Sequence, residues 1–328
     1  MVAQPRGNQI QNNIRRILTT KFQWLTVLLA VLFSTQPLSA KTSDGHTKIV
    51  LIAGTRSPRK AGGEEYLKSV RLLKVLLDRA PGLKRVQTAI VYDGWPSDPS
   101  VLDTADTILF ISDGMQWSPW SLSPERIATM QKQIDRGCGF MLFHFATYIP
   151  YKFQKQALAW DGGYVEYDGP KYPHMYFTQK TLTSNVLFPS PHHPVLNGVK
   201  PFQVMDEFYY RATFVPDGIT PLLRVPELPA DPKVYPGPLA DPKDQVTMWA
   251  YDRPGGAGRS IGATFGHYYA AWQNDDYRKL VLNAIAWTAH IKIPPQGIRS
   301  TWVDDAEVDR VLGPTPAPVP SPLEPPRQ

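Results

Sequence analysis

The sequence predicts an α/β domain in which helices flank a mostly parallel central sheet. Nearly continuous apolar runs that end in Gly, Asp or His alternate with segments of helical periodicity, a pattern typical of right-handed βαβ units. Apolar residues make up 42% of the 328 residues and charged residues 20%. The chain can therefore bury a core, and global disorder is not expected.

The first half of the chain shows this alternation most clearly. The run at 48–54 is apolar up to its final Gly, as in a strand buried on both faces. Residues 64–80 carry Leu and Val at helical spacing and stop at a Pro-Gly pair. The predicted order is strand 48–54, helix 64–80, strand 86–92, a short helical segment at 99–105 and strand 107–112.

A capping sequence at 123–125 predicts the next helix. Ser is a preferred N-cap residue, Pro suits the first turn, and Glu interacts favourably with the helix dipole. Gly137 ends this helix, and a strand at 139–143 then leads into His144. The later elements predicted are a strand pair at 245–251 and 259–265 and a final helix at 275–290.

The first 40 residues predict a secretory signal peptide. Four basic and no acidic residues precede an apolar run at 22–33, and small residues lead from that run to Ala40. The run is shorter than the roughly 20 residues that a bilayer span needs. We expect cleavage near Ala40, a periplasmic or secreted protein, and no stable membrane insertion afterwards. The alternative is a membrane anchor formed by an uncleaved segment.

The predicted organisation is a signal peptide at 1–40, one α/β domain at 41–300 and a Pro-rich disordered tail at 301–328. The formal net charge of +6 falls to +2 when the four basic residues of the signal are removed. That charge is too small to indicate a nucleic-acid-binding surface. The sequence leaves the oligomeric state open.

Cys138 is the only cysteine of the chain, so no internal disulfide can form. It lies between Gly137 and Gly139, where the predicted helix meets the predicted strand. No histidine or other base is patterned beside it, so we expect a packing role and not a catalytic thiol.

Ligand sites of parallel sheets lie beyond the carboxyl ends of the strands. The residues predicted at those ends are Gly54-Thr55-Arg56, Asp93, Asp113 and His144. We therefore expect Arg56 and Asp113 to contribute to substrate binding. For His144 the alternative is a core histidine whose ring nitrogens are satisfied by hydrogen bonds.

Two further polar positions interrupt or follow apolar strands. Asp206 and Glu207 are adjacent within an aromatic run, so their side chains are expected on opposite faces, with one of them inward. A buried carboxylate needs a partner, and a structural role would pair the inward one with an arginine such as Arg56 or Arg211. His267 follows the strand at 259–265, and its structural alternative is again a hydrogen bond.

Aromatic residues lie close to Gly, Pro and the candidate histidines, where their rings could stack on the C–H faces of a sugar. The alternative is ordinary packing. These residues are Trp160, Tyr164, Tyr167, Tyr172, Tyr176, Tyr268, Tyr269 and Trp272. The pair at 192–193 lies in a Pro-rich turn, and we expect a structural role for it.

A series of short segments resembles the ThuA-like (trehalose utilisation) family over roughly residues 48–290. The segments are Gly139–Ala146, Gly162–Tyr164, His193–Gly198, Asp206–Tyr209, Gly266-His267 and Asn283–Trp287. The resemblance implies a flavodoxin-like fold similar to class I glutamine amidotransferases. It also implies an association with trehalose and related disaccharides, through keto-sugar intermediates.

The resemblance places His144, Glu207 and His267 at the polar motif positions of the family. It implies an acid/base role for Glu207, with the two histidines binding substrate or a divalent metal. Two His and one carboxylate can hold Zn²⁺ with an open position for water. Substrate binding is further expected from Tyr164, Tyr209 and His174, the last as a displaced equivalent of the histidine in a Gly-His-Pro-like stretch of the family.

Glutamine hydrolysis is not expected, because the fourth predicted strand ends in His144 and the only thiol precedes that strand. The predicted function is therefore an exported enzyme of carbohydrate metabolism that hydrolyses or otherwise transforms a glycoside or keto-sugar. The alternative is a non-catalytic sugar-binding or scaffold protein of the same fold.

Overall fold

The computed structural model describes residues 1, 45–55, 62–170, 178, 182–228, 239 and 241–317. The chain divides into two units, Met1–Gln36 and Pro37–Gln328, and the second unit carries every element described below. The predicted signal peptide lies outside the described residues, apart from Met1. No helix in the described ranges has the length and apolarity required to cross a membrane.

The described elements alternate as the sequence predicts in the first half and become less regular afterwards. The strands are β1 (Thr47–Ala53), β2 (Val86–Val91), β3 (Thr107–Ile111), β4 (Gly139–Phe143), β5 (Tyr148–Pro150), β6 (Gly163–Tyr167), β7 (Leu182–Asn185), β8 (Gln203–Asp206), β9 (Thr213–Phe214), β10 (Ile219–Arg224), β11 (Val246–Asp252) and β12 (Arg259–Ala263). The helices are α1 (Tyr66–Arg79), α2 (Pro124–Asp135), α3 (Gln154–Asp161), α4 (Asp275–Thr288) and α5 (Asp305–Leu312).

The central sheet formed by the described residues has seven strands in the order β10-β11-β12-β4-β3-β1-β2. Strands β2, β1, β3, β4 and β12 are mutually parallel. They follow the 2-1-3-4-5 order of flavodoxin-like sheets, with β12 as the fifth strand. Strands β11 and β10 continue the sheet in antiparallel fashion. The predicted α/β fold with a mostly parallel sheet is confirmed.

The sheet is buried on both faces, because alternate residues of its strands pack against different helices. On one face, residues such as Leu51 and Phe143 join the apolar cluster that includes α1 and α4. On the other face, residues such as Ile52 and Leu142 pack with α2 and α3. This two-sided burial explains why the strands read as continuous apolar runs.

Local signals place the helices. Ser123 caps α2 by accepting a hydrogen bond from the amide of Arg126 at 3.3 Å, as its position predicts. Asn274 caps α4 in the same way, accepting from the amides of Asp276 and Tyr277. The segment predicted near 99–105 is a single 3₁₀ turn at Pro99–Leu102.

The prediction of a disordered tail from residue 301 is wrong for its first part, because α5 forms there. Asp304 caps this helix by accepting from the amide of Glu307, and Val308 is buried against the main core. Arg71 and Arg79 of α1 form ion pairs with Asp309 and Glu307 of α5. The Pro-rich composition begins only after this helix, and residues 318–328 lie outside the described residues.

Candidate functional site

His144 lies where the chain leaves β4 at the carboxyl edge of the sheet. Its φ of 53° is in the left-handed region, and a 3₁₀ turn at His144–Thr147 follows directly. A non-glycine residue in this region costs about 1–2 kcal/mol, and such strain concentrates at functional sites. The His144 side chain is fully buried and points into a group of other polar side chains.

The hydrogen bonds of His144 define the state of its ring. Nδ1 lies 3.1 Å from the carbonyl oxygen of Thr264, just beyond β12, and a carbonyl can only accept, so Nδ1 carries a hydrogen. Nε2 is the nitrogen whose state can change, and the Tyr209 hydroxyl lies 2.9 Å from it. The Tyr209 ring stacks on the imidazole, with centroids 4.6 Å apart. The ring is thus held with Nε2 toward the centre of the site.

Glu207 and His267 meet His144 at this point. Oε2 of Glu207 lies 3.5 Å from Nε2 of His144 and 3.2 Å from Nδ1 of His267. The two ring nitrogens are 3.3 Å apart. The three residues predicted to share a site therefore form a triangle of potential ligand atoms.

Glu64 is a fourth member that the sequence analysis did not identify. It is buried, has a φ of 50°, and its amide donates to the carbonyl oxygen of His267 at 2.8 Å. Glu64, His144 and His267 each offer one ligand atom, and these atoms lie within 4.8 Å of one another. The sequence signal was present, since Glu64 follows a Gly pair after β1, but it lies eleven residues beyond the strand end.

The charges of this cluster favour a carboxylate beside a cationic group. Burial alone would raise the pKa of Glu207, but hydrogen bonds from His144 and His267 outweigh it and lower that pKa to about 2. Burial opposes charge on His144, yet the hydrogen bond and charge of Glu207 raise its pKa above the ordinary value. Positive charge, as a proton or as a bound cation, is therefore stabilised at Nε2 of His144.

The inward carboxylate of the adjacent acidic pair is Asp206, which is fully buried. Among the described residues its partners are backbone amides, since it accepts hydrogen bonds from Glu207, Gly266 and His267 at 2.8–2.9 Å. Burial raises the pKa of Asp206, although His144 and these amides act in the opposite direction. The outward member, Glu207, is the one that faces the histidines.

The other residues predicted to bind substrate lie at different distances from this cluster, and two of them lie outside the described residues. Asp113 is buried just beyond β3, at the same edge of the sheet as His144. Tyr209 lies in the site, where it contacts His144. Tyr164 is fully buried in the apolar cluster of α2 and α3, so the structure does not bring it to the polar group. Arg56 and His174 lie outside the described residues.

Two side chains predicted to be structural have structural surroundings. His193 accepts a hydrogen bond from the amide of Val195 at 3.3 Å and packs edge-on against Trp287. Cys138 is buried at the amino end of β4, and burial raises the pKa of its thiol to about 12. At ~3.3 Å per residue of strand, it lies roughly 20 Å from His144.

The fold and site together define a class: an α/β protein with a flavodoxin-like sheet whose carboxyl edge carries a His–Glu cluster. The family model described as "Trehalose utilisation" matches residues 70–288, about two thirds of the chain. The chain belongs to this ThuA family. No curated protein is significantly similar to it in sequence.

Among the solved structures similar to this chain are two ThuA-like proteins that share its fold. A ThuA-like protein from Bacteroides uniformis is 17% identical, with a TM-score of 0.53, and the match covers 74% of this chain and 91% of that one. A ThuA-like protein from Parabacteroides merdae is 14% identical, with a TM-score of 0.51, and the match covers 78% and 98%.

Proposed function

We propose that this protein is an exported, metal-dependent enzyme that acts on a glycoside or keto-sugar. The observation that carries the proposal is the triangle of Glu207 Oε2, His144 Nε2 and His267 Nδ1, with sides of 3.2, 3.3 and 3.5 Å. Glu64 completes the cluster. The membership in the trehalose-utilisation family supports a sugar substrate, and the N-terminal sequence pattern supports export.

The dimensions of the triangle fit a small divalent ion. Zn²⁺ binds imidazole nitrogen and carboxylate oxygen at about 2.0–2.2 Å, so two ligands of a tetrahedral site lie roughly 3.3–3.5 Å apart. The observed sides have this length. His144 also shows the outer hydrogen bond usual for a ligating imidazole, because Nδ1 donates to a backbone carbonyl and leaves Nε2 directed toward Glu207 and His267.

The chemistry follows from these roles. An ion held by His144, His267 and Glu207 would supply Lewis-acid activation of a water or of a sugar oxygen. Glu207 would then be a ligand, and the acid/base role predicted for it would pass to Glu64. Glu64 is buried in the same cluster, within 4.8 Å of the ligand atoms of His144 and His267, and would be the carboxylate that takes a proton from the substrate or returns one.

Metal binding is tested first. Purified protein is stripped with a chelator, titrated with Zn²⁺ in competition with an indicator dye, and compared with the variants His267→Ala and His192→Ala. His192 is exposed, so His192→Ala is the matched control. We expect one Zn²⁺ per chain for the wild type and the control, and loss of binding for His267→Ala. Absence of binding by the wild type would reject the metal role.

Sugar activity is tested separately. The Zn²⁺-loaded protein is incubated with trehalose, other disaccharides and their keto derivatives, and products are followed by mass spectrometry. We expect turnover of a member of this set that requires the ion. A sugar that binds in a calorimetric titration without turnover would support the non-catalytic sugar-binding alternative. Neither binding nor turnover would reject the sugar role.

A further inference from the structure

The buried carboxylate of Asp206 accepts hydrogen bonds from the backbone amides of both Glu207 and His267. Oδ1 of Asp206 accepts from the amides of Glu207 and His267, each at 2.9 Å, and from Tyr268 at 3.4 Å. Oδ2 accepts from the amide of Gly266 at 2.8 Å. Four donors therefore converge on a side chain with no exposed surface.

The segment that these bonds hold passes close to the core and is also tied to the loop before α1. Gly266 has a φ of +113°, and a Cβ there would collide with the Phe143 ring, so the chain passes directly over the core. On its other side the carbonyl oxygen of His267 accepts from the amide of Glu64. The backbone of His267 is thus fixed at its N–H by Asp206 and at its C=O by the loop before α1.

The segment that carries Asp206 is itself anchored. Asp206 pairs with Leu182 in the β7–β8 ladder, and three residues later the carbonyl oxygen of Tyr209 accepts from the Thr264 hydroxyl at 2.7 Å. Thr264 also holds Nδ1 of His144. Residues 206–209 and 264–268 are therefore joined into one unit that presents Glu207 and His267 to each other.

We propose that Asp206 is a positioning residue that sets the separation of Glu207 and His267 before any ion arrives. This inference rests on the proposed metal role of those two residues. An ordered pair of ligands costs less to bring together at the moment of binding, so the loss of Asp206 should appear as weaker metal binding. A residue that only anchors a loop would change stability and leave metal affinity unchanged.

The test uses Asp206→Asn, which keeps the size of the side chain. Asn retains one accepting oxygen, but its NH₂ group cannot accept from an amide, so at least one of the four donors loses its partner. The expected result is a Zn²⁺ affinity about 10–100-fold lower than that of the wild type, the usual effect of losing an outer-shell partner. A Zn²⁺ affinity within about threefold of the wild type would overturn the proposal.

Asn283→Ala is the matched control for loss of stability. Asn283 is also fully buried and joins backbone segments, donating to Val195 and Asn197 and accepting from Ile298 at 2.9–3.0 Å. It is not part of the cluster. We expect its melting temperature to fall as much as that of Asp206→Asn or more, with Zn²⁺ affinity unchanged. A parallel loss of affinity in Asn283→Ala would show that stability alone explains the effect.

A measurement on the wild type keeps the proposal testable if Asp206→Asn does not fold. Amide hydrogen exchange is followed at Gly266 and His267, with and without Zn²⁺. If Asp206 orders the segment in advance, both amides are strongly protected in the stripped protein and change little when Zn²⁺ is added. Fast exchange of these two amides in the stripped protein that becomes slow only with Zn²⁺ would overturn the proposal that Asp206 orders the segment. Failure of the wild type to bind Zn²⁺ at all would instead reject the proposed function.

Discussion

The amide of Glu64 donates to the carbonyl oxygen of His267 at 2.8 Å, which ties the loop that follows β1 to the loop that follows β12. A neighbouring bridge between Gly63 and Tyr268 strengthens this connection. Two chain segments that lie at the carboxyl edge of one parallel sheet thereby become one wall of the cluster.

Gly63→Ala should weaken metal binding without unfolding the protein. A Cβ at this position would lie 2.7 Å from Nε2 of His267, so the imidazole would have to move. Displacement of a positioned group by ~1 Å can cost as much as 10²-fold in function, and we expect Zn²⁺ affinity to fall at least about tenfold. Gly82→Ala is the control, because no atom lies within 4 Å of its added Cβ. Equal affinity in both variants would show that His267 does not ligate the ion through this geometry.

Glu207→Gln should reduce Zn²⁺ affinity by more than the about 10–100-fold typical of an outer-shell partner. The amide keeps the size of the side chain but removes the negative charge that faces both histidines. The dye competition used for His267→Ala measures this. Retention of wild-type affinity would return Glu207 to the acid/base role predicted for it from the sequence.

Glu64→Gln should retain Zn²⁺ binding, in contrast to Glu207→Gln, and should lose turnover. If Glu64 transfers protons and is not a ligand, Zn²⁺ binding is retained and turnover of the responsive sugar falls by roughly 10²–10⁴-fold. The rate is measured at saturating Zn²⁺ and per folded molecule. A variant that loses the ion would instead make Glu64 a fourth ligand. Unchanged turnover would remove it from the reaction.

Cys138 should make the protein less stable at high pH. Burial raises its thiol pKa to about 12, while an unfolded chain titrates at an ordinary pKa near ~8.5. Between these values the unfolded state has lost a proton that the folded state keeps, so the free energy of unfolding decreases as pH rises, by at most ~1.4 kcal/mol per unit. Urea denaturation of wild type and Cys138→Ala at pH 8 and pH 10 isolates this contribution. An equal pH dependence in both proteins would contradict it.

Asp304→Ala should destabilise the protein by about 0.5–2 kcal/mol, the usual effect of losing an N-cap. Asp304 accepts from the amide of Glu307 at the start of α5, and α5 packs on α1 through Val308. Val311→Ala, at an exposed position of the same helix, serves as the control and should change stability by less than ~0.5 kcal/mol. If Asp304→Ala is neutral in denaturant titrations, α5 contributes nothing to the stability of the domain.

Periodicity was sufficient to predict the sheet because β1, β3 and β4 are buried on both faces and leave continuous apolar runs. The strand-end rule was sufficient for His144 and Asp113, since parallel strands deliver their last residues to one edge. It could not find Glu64, which the chain brings back to that edge only after a loop of ten residues. Nor could it show that Asp206 is satisfied by backbone amides, because such donors have no sequence signature.

Tyr164 shows a second reason why the sequence was not sufficient to predict the site. Its position after a Gly pair predicted a ring available to a sugar, yet pairing of β6 with β9 and packing beside Trp160 enclose it completely. The pattern of aromatic and small residues is the same in a binding wall and in a core. Only the tertiary arrangement distinguishes them.

The cluster draws Glu64 and His267 from positions about 200 residues apart along the chain. A fragment shorter than this separation lacks one of the two residues, so the proposed metal site can form only once the sheet is nearly complete. If the proposed export precedes folding, the chain would cross the membrane without the proposed ion. The ion would then be acquired from the compartment in which the protein works, and metal availability there, not in the cytoplasm, would determine which ion it carries.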